Sequence, residues 1–113
     1  MGKYMFHTTY TAKGLPGLLK EGGSRRRAAL TQTIEGMGGS VEGLYYAFGD
    51  TDLYIIADLP DDATATAVSL NIADAGALNI RCTVLITPET VDEAVKKRVP
   101  YRPPGARATR GRK

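Results

Sequence analysis

The chain has 113 residues, 42% of them apolar, with no tryptophan and a single cysteine, Cys82. That length suits one domain with a small core; a lone thiol excludes an intrachain disulfide, and no run approaches the roughly 18 apolar residues of a membrane-spanning helix. The formal charge of +3 misleads: residues 99–113 hold five bases and no acid, and residues 1–98 hold 10 bases against 12 acids, so the body is mildly acidic and poorly suited to nucleic acid.

Residues 1–10 lack the charged and apolar regions of a secretory signal, and with one cysteine the expected compartment is a reducing cytoplasm. Residues 3–10 are rich in aromatic and β-favouring types and predict a first strand. Thr11 is placed to cap the helical segment that carries Leu15, Leu18 and Leu19. Gly22-Gly23 interrupts that segment, and Ser24 is a suitable cap for a second helical run. There Leu30, Ile34 and Met37 recur at i, i+4 and i+7 on one face, and Gly38-Gly39 closes it.

A second strand is predicted over about 40–48 and a third over about 52–59, joined by a Gly-Asp turn. Pro60 stops the third strand, and Asp61-Asp62 favour a helix start. The helix over 61–75 is rich in Ala, Ser and Thr, with Ala67, Leu70 and Asp74 on one stripe and Val68 and Ile72 beside it. Its small side chains suit close approach to a sheet, and Gly76 ends it. Residues 77–86 then alternate, with Leu78, Ile80, Cys82, Val84 and Ile86 on one face and Asn79, Arg81, Thr83 and Leu85 on the other. Thr87-Pro88-Glu89 opens a last short helix to about residue 97 or 98. Residues 99–113 form a Pro/Gly/Arg-rich basic tail, expected to be disordered over 105–113 or ordered only on a partner.

The order is βαββαβ with a C-terminal helix, an α+β ferredoxin-like plait. Two long helices cover one face of its four-stranded antiparallel sheet. Strands one to three carry Met, Leu, Tyr, Phe or Ile on both parities, so the other face also needs cover. A second copy is the simplest cover, giving a dimeric α+β barrel and a homodimer or higher oligomer.

The chain resembles the GYD domain family across roughly residues 3–104. The likeness rests on the opening strand with Tyr10-Thr11, on Gly14-Leu15, and on Lys20-Glu21-Gly22-Gly23-Ser24-Arg25-Arg26. It continues through Gly38-Gly39, the Phe48-Gly49-Asp50-x-Asp52 hairpin, Leu59-Pro60-Asp61 and Leu85-Ile86-Thr87-Pro88-Glu89. Thr51 stands where the family's tyrosine precedes Asp52, so a role resting on that tyrosine is not carried over. The resemblance implies a ferredoxin-like dimer and supplies no established reaction.

The segment from Gly22 to Arg27 is the leading candidate site. Free N–H groups and the positive dipole end of a helix start attract an anion, and glycine lets it approach the backbone. Ser24, Arg25 and Arg26 are its expected ligand-binding residues. Arginines oppose the dipole there, so they make sense if they hold a carboxylate or phosphate or pair with acids elsewhere. The plainer reading is a capped helix with solvated arginines. Asp50 and Asp52 are carboxylates able to bind a hard cation or act as a base, although such residues ordinarily serve turn geometry; Asp50 is also counted among the ligand-binding candidates. His7 is the only histidine, which excludes a histidine-cluster metal site; it is a general-base or ligand-donor candidate near Arg81, Tyr45, Tyr46 or Tyr54, or more plainly a satisfied core or interface residue. Cys82, on the apolar parity, is expected to be a buried, inert thiol. Tyr4, Tyr10, Tyr45, Tyr46 and Tyr54 suit a ligand cavity or, more plainly, a core and interface.

The favoured expectation is a non-enzymatic protein that binds a small anionic organic ligand through Ser24, Arg25, Arg26, Asp50, Tyr46 and Arg81, or that serves assembly, with no cofactor and no metal. One alternative is a cofactor-free oxygenase or isomerase of the barrel type, with His7 or Asp52 as base. A second is a nucleic-acid-associated module acting through the tail.

Overall fold

Strand β1 (Gly2–Tyr10) divides its side chains between two environments. Tyr4, Phe6 and Thr8 are buried, whereas Met5, His7 and Thr9 lie half-covered on the other side. The chain then forms α1 (Leu15–Glu21), α2 (Gly23–Gly36), β2 (Ser40–Tyr46), β3 (Leu53–Leu59), α3 (Asp62–Ala75), β4 (Leu78–Leu85) and α4 (Pro88–Ala94). A computed structural model provides these coordinates and describes residues 1–47 and 49–105. Phe48 of the hairpin and the expected disorder from residue 106 onward lie outside the described residues.

The strands make one antiparallel sheet in the order β2-β3-β1-β4, so the fold is ferredoxin-like α+β. The core forms where the helices cover the sheet. Tyr4, Phe6, Leu53, Ile55, Ala57 and Leu59 from the two central strands meet Leu30 and Ile34 of α2 and Ala65 and Val68 of α3. Each fully buried large apolar side chain contributes about 1.5–3 kcal/mol, so this layer is the main source of stability.

Several expectations shift by a few residues, for local reasons. Gly22, at φ 81°, makes the break between α1 and α2 and serves as the N-cap of α2, so Ser24 lies within the first turn and caps nothing. Thr11 stands four residues before α1 and holds the preceding turn, donating to the Gly76 carbonyl at 2.7 Å and accepting from the Gly14 N–H at 3.1 Å. On α3 the buried stripe is Ala65 and Val68, with Ile72 beside them, while Leu70 faces outward. Helix α4 ends at Ala94, short of residue 97.

Cys82 is a clear correction. It lies on the helix-facing parity as expected, yet it is exposed, because β4 is an edge strand that α3 covers only in part. What burial it has raises the pKa of its thiol, which keeps it a poor nucleophile.

Helix α3 has clear stop and start signals. The Asp61 side chain accepts from the Thr64 N–H at 2.8 Å and from its hydroxyl at 2.7 Å, and Gly76 closes the helix in the left-handed conformation. The Thr64 side-chain bond, then the backbone bond, holds the Asp61 carboxyl below its ordinary value of 3.8. A depressed carboxylate stabilises the fold above its unfolded pKa and loses that contribution as pH falls through the folded one. Asp61→Ala is therefore expected to lower the melting temperature at pH 7, with the gap to wild type closing as the pH is taken below 3.8. Thermal melts by circular dichroism across that range check it, and a gap independent of pH would rule out the charged cap as its cause.

Candidate functional site

The turn between β1 and α1 is pinned to the turn between α3 and β4. Besides the Thr11 contacts, the Thr11 N–H donates to the Ala77 carbonyl at 3.1 Å. Gly14 comes so close that a Cβ there would stand 2.0 Å from the same oxygen, which only glycine permits. Helix α1 is thereby held at one end of the sheet without lying down on it. None of its residues is buried, and Leu15 and Leu19 are exposed.

The space left between α1, the start of α2 and the strand ends is a cleft of about 620 Å³, lined by Tyr10, Leu15, Leu18, Leu19, Gly22, Gly23, Tyr46, Ala47 and Asp52. That volume fits a small organic molecule. Leu15, Leu18 and Leu19 stand at i, i+3 and i+4 on one apolar side. The polar groups are few and individually placed. Asp52 Oδ2 accepts from the Tyr10 N–H at 2.9 Å, and its backbone N–H and C=O bond Thr8 and Ala47. The Tyr10 hydroxyl is enclosed beside the Tyr46 phenol. Burial first, then this neighbour, pushes the Tyr46 pKa up to about 12, against a smaller opposing pull from Arg26 and Arg27.

A smaller hollow of about 200 Å³ adjoins the cleft, sharing Gly23 and Tyr46 and adding Ser24, Arg27 and Leu44. A Cβ on Gly23 would press to 3.3 Å of the Tyr46 ring, so glycine brings the start of α2 against that ring. No side chain caps α2, and the first-turn N–H groups of a helix carry partial positive charge.

The sequence candidates divide among three places. Tyr46 and Asp52 line the cleft, and Ser24 lines the adjoining hollow. Arg26 turns toward α1 and pairs with Glu21 at 3.7 Å, while Arg25 and Asp50 are exposed and line neither cavity. His7 and Arg81 are cross-strand partners on the opposite face of the sheet, where they share a hollow of about 120 Å³ with Thr9, Thr51 and Asn79. There His7 Nε2 meets Thr83 Oγ1 at 3.1 Å and the ring stands edge-on to Tyr54 at 5.4 Å. His7 and Asp52 therefore belong to different sites. Sequence reasoning did not assign Leu15, Leu18, Leu19 or Ala47 to the site, and it placed Arg27 in the candidate segment and Tyr10 among the possible cavity tyrosines without singling either out. The available signal was the leucine stripe, three large apolar residues on a helix too short to bury them.

The model of the GYD domain matches residues 4–95. The chain belongs to the GYD domain family. Neither a search of curated proteins nor one of solved structures found a match. In this GYD domain the residue before Asp52 is Thr51, which is buried and turned to the hollow beside His7 and Arg81 rather than to the cleft.

Tyr46 supplies a pH test of the cleft's interior. A phenol whose folded pKa lies above its unfolded value of 10 stabilises the fold fully below pH 10 and loses that contribution as pH rises toward 12. Tyr46→Phe is expected to flatten part of the fall in melting temperature between these pH values, leaving the part due to Tyr4, whose pKa is also pushed up to about 12 by its bond to Asp62. Equal slopes in the two proteins would mean that Tyr46 is solvated.

Proposed function

We propose that this GYD domain binds a small organic anion with an apolar body. The observation that carries the reading is a largely apolar cleft, with Tyr10, Tyr46 and Asp52 as its few polar residues, that adjoins the uncapped start of α2. The apolar body lies against Leu15, Leu18 and Leu19. The acidic group reaches across Gly23 to Arg27, Ser24 and the uncapped start of α2, where positive charge and N–H donors converge. Arg27 replaces Arg25 and Arg26 as the leading cation, since Arg26 is paired with Glu21 and Arg25 lines neither cavity.

Binding is favoured over turnover by the state of the possible bases. Asp52 already accepts the Tyr10 N–H, and His7 is on the far face of the sheet with a threonine hydroxyl as its neighbour. The oxygenase or isomerase reading gains no assembled pair of catalytic groups from this arrangement. The nucleic-acid reading rests on Arg107, Arg110, Arg112 and Lys113, beyond the described residues.

The direct test is native mass spectrometry of protein purified without refolding, followed by thermal melts with aromatic carboxylates and phosphate esters. A retained mass or a saturable rise in melting temperature is expected, following RT ln(1 + [L]/Kd). Arg27→Ala should weaken binding about tenfold, the worth of one charge-assisted hydrogen bond, and Tyr10→Phe should weaken it by less. Bare protein that no member of either class stabilises would sink the proposal.

We also infer a homodimer, as expected for a barrel. On the face without helices, Met5 and Ile56 are cross-strand neighbours beside the Tyr45–Tyr54 pair. Lys3 crosses to Glu42 at 2.7 Å and Asp58 at 3.1 Å. A second copy laid on this face removes its apolar surface from water. Sedimentation should give twice the chain mass at micromolar concentration, and Met5→Lys with Ile56→Lys should give a folded monomer. A wild-type monomer under those conditions rejects the inference. Among the described residues no helix is long and apolar enough to cross a membrane.

A further inference from the structure

Helix α4 is well signalled locally and has almost nothing to pack on. Thr87 caps it by accepting from the Thr90 N–H, and Pro88 occupies the first turn. It nevertheless has seven residues, none buried, and makes at most marginal contact with the other elements of its chain. Isolated helices shorter than about 12–15 residues are marginal in water, so this one needs an external surface. Val91 and Val95 stand at i and i+4 and Val99 follows, all exposed. Glu89, Asp92 and Glu93 fall on other sides of the helix, as the 100° step per residue dictates.

A surface of matching character lies between α3 and the edge strand β4. It is a groove of about 290 Å³ that includes Ala65, Ser69, Cys82 and Val84, with Asp62 also on its wall. Val84 and Leu70 nearby are exposed, and an open edge strand is a liability that folds ordinarily cover. Charge is complementary as well. Residues 61–75 carry Asp61, Asp62 and Asp74 and no base, whereas the stretch after α4 carries Lys96, Lys97 and Arg98 and no acid through residue 105. None of these three bases is in an ion pair among the described residues.

We propose that the C-terminal arm, residues 88–104, is exchanged between two copies of the chain, seating Val91 and Val95 of one in the α3–β4 groove of the other. The basic stretch then runs toward Asp61 and Asp62 at the start of the acceptor's α3. Exchange covers the valines, the β4 edge and Val84 together, using surface that the chain leaves open on itself. The inference rests on pairing with a second copy and is independent of how the open sheet face is covered.

The single native cysteine makes the test specific, since Cys82 lies in the proposed groove. Val91→Cys and Val95→Cys are made separately in the full chain, and each is mixed with an isotope-labelled wild-type chain and oxidised. A non-reducing gel should show a covalent dimer from at least one variant, and peptide mapping should join its arm peptide to the labelled Cys82 peptide. Replacing the labelled wild-type chain with a labelled Cys82→Ser chain should abolish that link. Lys96→Glu, Lys97→Glu and Arg98→Glu together should lower its yield, and an unchanged yield would count against the charge pairing with Asp61 and Asp62. A wild-type dimer whose variants form no such link would overturn the exchange while leaving the pairing intact. A link within one chain, showing that the arm returns to its own groove, or a link only between two arm cysteines, also overturns it. A monomeric wild-type chain overturns both exchange and pairing.

Discussion

Asp52 holds together the end of the molecule on which the cleft depends. It stands at the start of β3, and its side chain takes the N–H of Tyr10 at the end of β1. Its own N–H goes to Thr8 and its C=O receives Ala47. One residue thereby ties the central strand to both limbs of the β2–β3 hairpin. A hydrogen bond to a charged acceptor contributes about 1.5–3 kcal/mol, more than a typical neutral pair. The consequence is positional: Tyr10 and Tyr46 are brought together at a common wall. The carboxylate that looked like a possible base in a hairpin is chiefly the fastening that sets two phenols in place.

The small residues at the other side of the cleft work in the opposite sense, by creating space. Gly14 lets the β1–α1 turn sit against the Ala77 carbonyl, and Gly22 breaks the helix so that α1 and α2 leave the sheet separately. Larger side chains at either position would oppose that geometry, the first by collision and the second by its positive φ. The three leucines of α1 consequently face a gap rather than a core. A helix that keeps large apolar groups off the core leaves them beside a cleft, the kind of local conflict with core packing that the proposed ligand would resolve.

Much of the fold was legible because its signals are local. Alternation along β1 and β4, the Leu30–Ile34 spacing, the Pro60-Asp61-Asp62 step and the closing Gly76 each point to one structure by short-range chemistry. The site was less legible because it depends on which strands become neighbours. Tyr46 and Ser24 meet in one hollow, but His7 and Arg81 belong to the opposite face through the register of β1 with β4. Cys82 followed the same rule. Its parity was readable, but its exposure follows from β4 lying at the edge of the sheet, a property of strand order that no local pattern encodes.

The open sheet face and the arm raise one question of apolar surface. The helices cover one side of the sheet and absorb Phe6, Leu53, Ile55 and their neighbours, leaving Met5 and Ile56 on the other side and three valines on the arm. Polar groups are interspersed with that remainder: Lys3 with Glu42 and Asp58, and His7 with Thr83. In the proposed dimer such a mixture would supply register, because a misplaced copy would bury a charge without its match. The acidic α3 and the basic stretch after α4 extend the same logic around the edge of the sheet. In the proposed dimer, apolar area would provide the drive to associate and the placement of charges would select another copy of this chain as the partner.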